Sequence, residues 1–340
     1  MAAEPPTAPH RPVPPGLPGR RGRAAAWMRR HPLLRHALAR AAQAVAALWV
    51  VVTLTFVLMH ALPGDPFASL QSTPAVRALL DARYGLDLSL PRQYAIYVGN
   101  LLHGHLGWSL IDPHRTVGQE IRSGGPVSAA LGAEALAWSV PGGVLLGLLA
   151  AARRGGAWDR ASSVVGLAGM AVPNFVLATA ADYLLGVRAR LLPVAGWGTA
   201  AQTVLPALAL GALPCALVSR MIRAEAADVL SADFVRAARA KGLTGTQILL
   251  RHVLRNALTP VLTLLGPLVT ATVAGSFVVE TVFAIPGLGA SFVNSVLDRD
   301  YPLILGLTIF YSTVLLALNA AADIAAALAD PRIDPARGPT

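Results

Sequence analysis

Long uncharged apolar runs recur along the chain, and they predict helices that cross a membrane. The first run, Ala41–Leu62, has no charged residue in 22 positions. A helix of that length extends about 33 Å, and the hydrocarbon core of a bilayer is about 30 Å thick. The other runs are Val127–Ala152, Ala161–Val187, Thr203–Val218, Pro260–Val279 and Leu303–Leu328. The pattern therefore predicts an all-α membrane protein with six transmembrane helices.

Polar stretches between these runs predict how the chain is organised. Residues 63–122 are too long for a turn and predict an extracytoplasmic loop subdomain with a short helix around Pro74–Tyr84. The length of the first run favours a retained anchor over a cleaved signal peptide. The remaining divisions are a disordered cytoplasmic tail (1–32), a first transmembrane helix (33–62), a five-helix core (123–329) with a cytoplasmic loop at 219–258, and a cytoplasmic C-terminal tail (330–340).

The distribution of positive charge favours both termini in the cytoplasm. With that orientation and six crossings, the cytoplasmic segments hold 20 Lys and Arg residues and the opposite segments hold 8. Cytoplasmic loops of membrane proteins carry the excess of Lys and Arg. We therefore expect an N-in/C-in protein of the plasma membrane.

Composition supports a membrane protein and excludes several other classes. Of 340 residues, 54% are apolar and only 14% are charged, against about 25% charged in soluble domains. The net charge of +10 belongs to basic residues that flank the apolar runs, so we expect no nucleic-acid partner. The single Cys215 excludes an intramolecular disulfide and a Cys-ligated iron–sulfur cluster.

The sequence also lacks the common catalytic motifs. A P-loop needs Gly-Lys-Ser/Thr to hold phosphates, and the one lysine, Lys241, precedes Gly242. The Gly-x-Ser-x-Gly and His-Glu-x-x-His patterns are absent. His103 and His105 lack the i, i+4 spacing of a helical metal pair. We expect neither an enzyme nor a metal site.

The stretch 219–258, between two predicted spans, indicates a cytoplasmic helix–turn–helix. Phe234–Lys241 has a helical composition, and Gly242 follows it as a helix stop. A second helical stretch runs from Gly245 or Thr246 to Leu258. Two short helices joined by a glycine turn form a compact projection on which another protein can dock.

This segment resembles the signature loop of ABC importer permeases. Ala237-Ala238, three residues and Gly242 match the family spacing, with Arg236 where the family pattern has Glu. Further matches point to the dipeptide/oligopeptide/nickel permeases, and Pro-Gly-Asp-Pro after the first span resembles their B-type subunit. They are Leu62–Pro66, Val172–Phe175, Asp233–Leu243, Leu250–Leu258, Glu280–Phe283, Pro286–Gly289, Arg299–Pro302 and Asp330–Arg332.

The resemblance implies a type I importer fold and a set of partners. A second, homologous permease would complete the pore, two ATPase subunits would bind ATP and Mg²⁺, and an extracytoplasmic binding protein would deliver substrate. This chain itself would hold no cofactor. The coupling helix that contacts the ATPase would comprise Phe234, Arg236, Ala237, Ala238, Lys241, Gly242 and Leu243.

The substrate is predicted only by the frequency of substrates in the family, which favours di- and oligopeptides. Nickel or metallophores, glutathione and saccharides are alternatives within the family, and an ion-coupled secondary transporter is a more distant one. Charged residues within membrane spans are costly and usually functional. Glu134 and Asp182, together with Asn174, are therefore the candidate residues of a substrate pathway.

Overall fold

A computed structural model of the chain describes residues 32–61 and 74–329. Contacts divide the chain into residues 1–45 with 334–340, and residues 46–333. Of the first unit, only Pro32–Val45, the start of α1, is described. The predicted C-terminal tail and residues 1–31 of the predicted N-terminal tail lie outside the described residues.

The described residues form helices joined by short connections. The helices are α1 (Pro32–Ala61), α2 (Pro74–Tyr84), α3 (Leu90–Leu102), α4 (Val117–Ala152), α5 (Ala157–Ala171), α6 (Asn174–Ala181), α7 (Ala200–Ser231), α8 (Asp233–Ala240), α9 (Gly245–Ile248), α10 (Leu254–Val282), α11 (Leu288–Asp298) and α12 (Tyr301–Ala329). Two π-helical segments, Asp182–Arg188 and Leu249–Val253, continue α6 and α9. The predicted short helix at Pro74–Tyr84 is confirmed as α2.

Five helical segments are long and apolar enough to cross a membrane: Arg40–Ala61, Val117–Ala152, Ala200–Ser231, Leu264–Val282 and Tyr301–Ala322. The segments Ala157–Ala171 and Asn174–Arg188, which we together call the broken span, are bent by 109° at the intervening break and give a sixth crossing if the pair is counted as one span. The prediction of a continuous third span at 161–187 is therefore wrong in detail. Pro173 lacks the N–H that would continue the helix of α5.

Two helices also extend beyond the bounds that the sequence predicted. Residues 117–122, expected in the loop subdomain, begin α4. Residues 219–231, expected in the cytoplasmic loop, are the last turns of α7. The fourth span, predicted at only 203–218, is therefore a helix of 32 residues. Its two prolines do not end it, because neighbouring helices can compensate for a backbone bond lost within a membrane helix.

Three helices begin with the same Thr-x-x-Gln pattern. The backbone N–H groups of Thr116, Thr199 and Thr244 donate to the Oε1 atoms of Gln119, Gln202 and Gln247 at 2.8, 3.0 and 2.9 Å. Such capping boxes satisfy backbone groups that a helix end otherwise leaves unpaired. They fix where α4, α7 and α9 start.

The closest helix packing joins α4 to α7 through small residues. A Cβ atom added at Gly143 or Gly147 would lie 2.6 Å from the carbonyl oxygen of Cys215 or Ser219, respectively. On α7, a Cβ at Gly211 would lie 2.7 Å from the Ala135 carbonyl oxygen. Small residues four apart let two backbones approach, which is a main source of helix association in lipid. This pair of helices forms the centre of residues 46–333.

Candidate functional site

The predicted helix–turn–helix is present and ends its first helix with a Schellman motif. Gly242 has φ +81°, a left-handed conformation that glycine adopts without strain. Its N–H donates to the Arg239 carbonyl at 3.0 Å, and the Leu243 N–H donates to the Ala238 carbonyl at 3.3 Å. These are the two bonds that close a helix at an αL residue. A Cβ at Gly242 would contact nothing within 4 Å, so the backbone conformation, not lack of space, requires the glycine.

We call α8, its turn and α9 the knob (residues 233–248). The capping box at Thr244 starts α9 two residues after Gly242, which leaves the connection little freedom. Val235 and Ile248 are completely or almost completely buried. They join a core cluster that contains Leu148 of α4, Ile222 of α7 and Val261 of α10. The knob is therefore fixed to three long helices by apolar packing.

The seven residues predicted to contact the ATPase divide into two faces. Five are exposed: Phe234, Arg236, Ala237, Lys241 and Gly242. Ala238 is buried, and Leu243 is partly buried against the same core as Val235. Ala238 and Leu243 thus hold the knob against the core. The five exposed residues form a surface on which a partner can bind.

Small, aromatic and basic groups make up that surface. Phe234 is 48% exposed, and its ring lies 6.3 Å from the ring of His252 in an edge-on arrangement. Arg236 pairs with Asp233 at 2.8 Å, and both side chains are largely exposed. The exposed Ala237 lets a partner's backbone approach, and the nearby cations favour an acidic partner surface.

The three predicted substrate-pathway residues are not gathered into one site. Glu134 lies on an exposed face of α4. Asp182 begins the π-helical segment after α6, and its Oδ1 atom is buried without a hydrogen-bond partner in the described structure. Asn174 lies at the break between α5 and α6, beside a cavity of about 310 Å³ that neither acid lines.

Asn174 is the best placed of the three. Its cavity is bounded by Met170 and Pro173 of the broken span, Leu213 of α7 and Gly275 of α10. A Cβ at Gly275 would lie 2.8 Å from Asn174 Nδ2, so glycine makes room for the amide. Irregular backbone at membrane depth occurs where it is buried in protein or lines a cavity.

Sequence reasoning missed a group of buried carboxylates near the C-terminal end of α10, the end away from the knob. Glu280 is completely buried. Its Oε2 atom accepts hydrogen bonds from the N–H groups of Gly289 at 2.7 Å and Ala290 at 3.1 Å. These donors are in the first turn of α11, where the helix dipole favours a negative charge. The Glu280–Phe283 and Pro286–Gly289 motifs were noted in the sequence, but their contact was not foreseen.

Two further acids complete this end, which we call the carboxylate end (Glu120, Glu280 and Asp300). Glu120 accepts a short hydrogen bond from Ser291 of α11 and pairs with Arg115 at 2.6 Å. Asp300 accepts from Ser109 and, at 3.1 Å, from the Leu110 N–H. All three acids are nearly or fully buried. Together they attach α11 and the start of α12 to α4, α10 and the segment before α4.

A large cavity of about 990 Å³ lies beside the carboxylate end. Aromatic rings of Phe56, Tyr97, Trp108 and Tyr301 line it, with the imidazoles of His60, His105 and His114. His60 Nε2 lies 3.0 Å from Gln93 Oε1, which connects α1 to α3. In the part of the chain that the structure describes, no group of three His, Cys, Asp or Glu side chains is arranged to hold a metal ion.

These features define a multi-pass α-helical membrane protein that carries a packed helix–turn–helix knob. Residues 143–335 match the family model described as "Binding-protein-dependent transport system inner membrane component". The chain belongs to this family. It is a multi-pass permease component of the plasma membrane, and the predicted resemblance to ABC importer permeases is confirmed.

Curated relatives match over most of the chain. It is 39% identical over 301 residues to the dipeptide transport system permease protein DppB of Lactococcus lactis, which is 88% of this chain and 99% of the relative. Identity to DppB of Bacillus subtilis is 41% over 302 residues, which cover 88% of this chain and 98% of the relative. Identity to the oligopeptide transport system permease protein OppB of Haemophilus influenzae is 38% over 304 residues, which cover 88% of this chain and 99% of the relative. The alternative of an ion-coupled secondary transporter is thereby wrong.

Proposed function

We propose that this chain forms half of the pore of a peptide importer and receives the force of ATP binding through the knob. Relatives named for dipeptide and oligopeptide transport, at 36–41% identity, favour peptides over nickel, glutathione or saccharides. The observation that carries the coupling role is the exposed Gly242 turn on a base of buried side chains. The proposed complex contains a second permease subunit, two ATPase subunits that bind ATP and Mg²⁺, and an extracytoplasmic binding protein.

The packing of the knob suits it to transmit movement. Both ends of its turn are closed by local hydrogen bonds, the Schellman bonds before Gly242 and the capping box at Thr244. Val235 and Ile248 pack among side chains of α4, α7 and α10. A displacement of the knob would therefore move these helices as a packed unit, as rigid-body switching requires. ATP drives the switch because it binds more tightly to one of the two states.

Orientation follows from the charge bias. The knob carries Arg236, Arg239 and Lys241, all exposed, and basic residues are enriched on the cytoplasmic side. The proposal therefore places the knob in the cytoplasm with the ATPases and the carboxylate end on the side of the binding protein. Asn174, with Glu134 and Asp182 at other levels, remains the proposed marker of the substrate pathway.

The coupling role is tested with Gly242→Glu in the assembled complex. We expect loss of ATP hydrolysis stimulated by peptide-loaded binding protein, because the acid introduces charge and bulk at the tip of the docking surface. The matched control is Gly104→Glu, since Gly104 also has positive φ (+77°) and open space around it but lies before α4. The control should keep stimulation, and wild-type stimulation in Gly242→Glu would overturn the assignment.

The substrate class is tested by uptake into proteoliposomes that contain the complete complex. We expect ATP-dependent accumulation of labelled di- or oligopeptides. Free nickel, glutathione and a disaccharide serve as parallel substrates. Uptake of one of these in place of peptides would contradict the peptide assignment while leaving the coupling role of the knob intact.

A further inference from the structure

A basic and aromatic cluster lies where the broken span begins. Arg153 and Arg154 follow the last turn of α4, and Trp158 and Arg160 are in the first turn of α5. All four side chains are exposed. The cluster is at the knob end of the molecule, because Asp159 beside it binds Arg223 of α7, eight residues before that helix ends.

The only acid in this stretch is already neutralised. Asp159 accepts from Arg223 Nε at 2.6 Å and from Nη2 at 3.2 Å, and from the Gly155 N–H at 2.9 Å. The pair fixes the turn between α4 and α5. Arg153, Arg154 and Arg160 form no ion pair with the described acids. Among the described residues, the cluster thus has three arginines outside any ion pair, although Arg154 also acts electrostatically on Asp159.

An apolar surface continues from the cluster along α5. The Trp158 ring is 56% exposed and lies 5.8 Å from the Arg153 guanidinium. Beyond it, Val164, Val165 and Leu167 are each about as exposed. Tryptophan is enriched at the level of lipid headgroups, and guanidinium groups match phosphate oxygens with paired donors. A cationic site next to exposed apolar side chains is complementary to the two parts of an anionic phospholipid, its charged headgroup and its acyl chains.

We propose that Arg153, Arg154, Trp158 and Arg160 bind the headgroup of an anionic phospholipid whose acyl chains lie along α5. The phosphate chemistry alone would also suit free phosphate. The exposed indole and the apolar strip below it favour the lipid, because a soluble anion gains nothing from either. Lipid at this position would hold the start of the broken span at the membrane surface.

The test is a titration of the purified full-length chain in uncharged detergent. The probes are dioctanoyl phosphatidylglycerol, dioctanoyl phosphatidylcholine and inorganic phosphate. We expect phosphatidylglycerol to bind most tightly and the triple variant Arg153→Gln, Arg154→Gln, Arg160→Gln to bind it about 100-fold more weakly, since each arginine near an anionic surface contributes about fivefold. Trp158→Leu should weaken binding of the lipid and not of phosphate.

The matched control is Arg188→Gln with Arg190→Gln, which removes two exposed arginines at the other end of the same broken span. It should bind phosphatidylglycerol as the wild type does. If the triple variant does not fold, Arg154→Gln alone should show about a fivefold loss. Equal binding of the two lipids by the wild type, an unchanged triple variant, or competition by free phosphate at the lipid's own concentration would each overturn the proposal. None of these readouts depends on peptide or ATPase.

Discussion

The two ends of the molecule are held together by different forces. At the knob, Val235, Ala238 and Ile248 bury apolar side chains, and the polar bonds are local ones within the turn. At the carboxylate end, Glu120, Glu280 and Asp300 bind donors on other elements. Apolar packing tolerates small displacements, whereas a buried carboxylate needs its donors in place. The knob can therefore shift slightly without losing its contacts, whereas the carboxylate end keeps its hydrogen bonds only in one geometry.

The largest expected effect comes from removing the central acid of the carboxylate end. Glu280→Ala leaves the Gly289 and Ala290 N–H groups buried without an acceptor, at a cost of about 3 kcal/mol. The measurement is thermal unfolding of the purified chain in detergent. Glu134→Ala, which removes an exposed carboxylate from a long helix, should change stability by less than about 0.5 kcal/mol. Equal losses of stability in the two variants would show that the buried Glu280 contributes no more to stability than the exposed Glu134.

A smaller effect is expected at the turn of the knob. Gly242→Ala forces a Cβ into a left-handed conformation, at a cost of about 1 kcal/mol. Hydrogen exchange of the α8 and α9 amides should then be about fivefold faster. Gly245→Ala, in open space and in a helix, is the control and should not speed exchange. Unchanged exchange in Gly242→Ala would mean that the turn is not held by its αL residue.

The smallest effect should come from the exposed ion pair of the knob. Asp233→Ala removes a pair whose two side chains are largely solvated, and such pairs contribute little to stability. Its unfolding temperature should equal that of the wild type. Glu120→Ala removes a pair of 2.6 Å whose acid is buried and should be clearly destabilising. Similar behaviour of the two variants would remove the distinction between the ends.

Local features of the fold could be predicted from the sequence, and long-range ones could not. The helix–turn–helix at 233–258 was predicted because Gly242 and the residues before it suffice to close α8. The roles of Glu120 and Asp300 depend on Ser291 and Ser109, which are 171 and 191 positions away. Nothing in the local pattern distinguishes these acids from solvated ones.

The broken span was predicted as an apolar segment, but its sharp bend was not predicted. Pro173 interrupts the apolar run 161–187, but an internal proline is also compatible with a mild kink. The 109° bend depends on what packs around the break, including Leu213 and Gly275 from helices far along the chain. The local structure was therefore predicted best at the Gly242 turn and least well at the break between α5 and α6.

The glycine contacts between α4 and α7 have a consequence for biogenesis. Gly143 and Gly147 find their partners only on a helix that is synthesised after the entire broken span. Until α7 enters the bilayer, α4 presents a bare, groove-like face to lipid, and nascent chains truncated after α6 should be recognised and degraded by membrane quality control. Insertion of α7 is thus the step that covers the glycine face of α4.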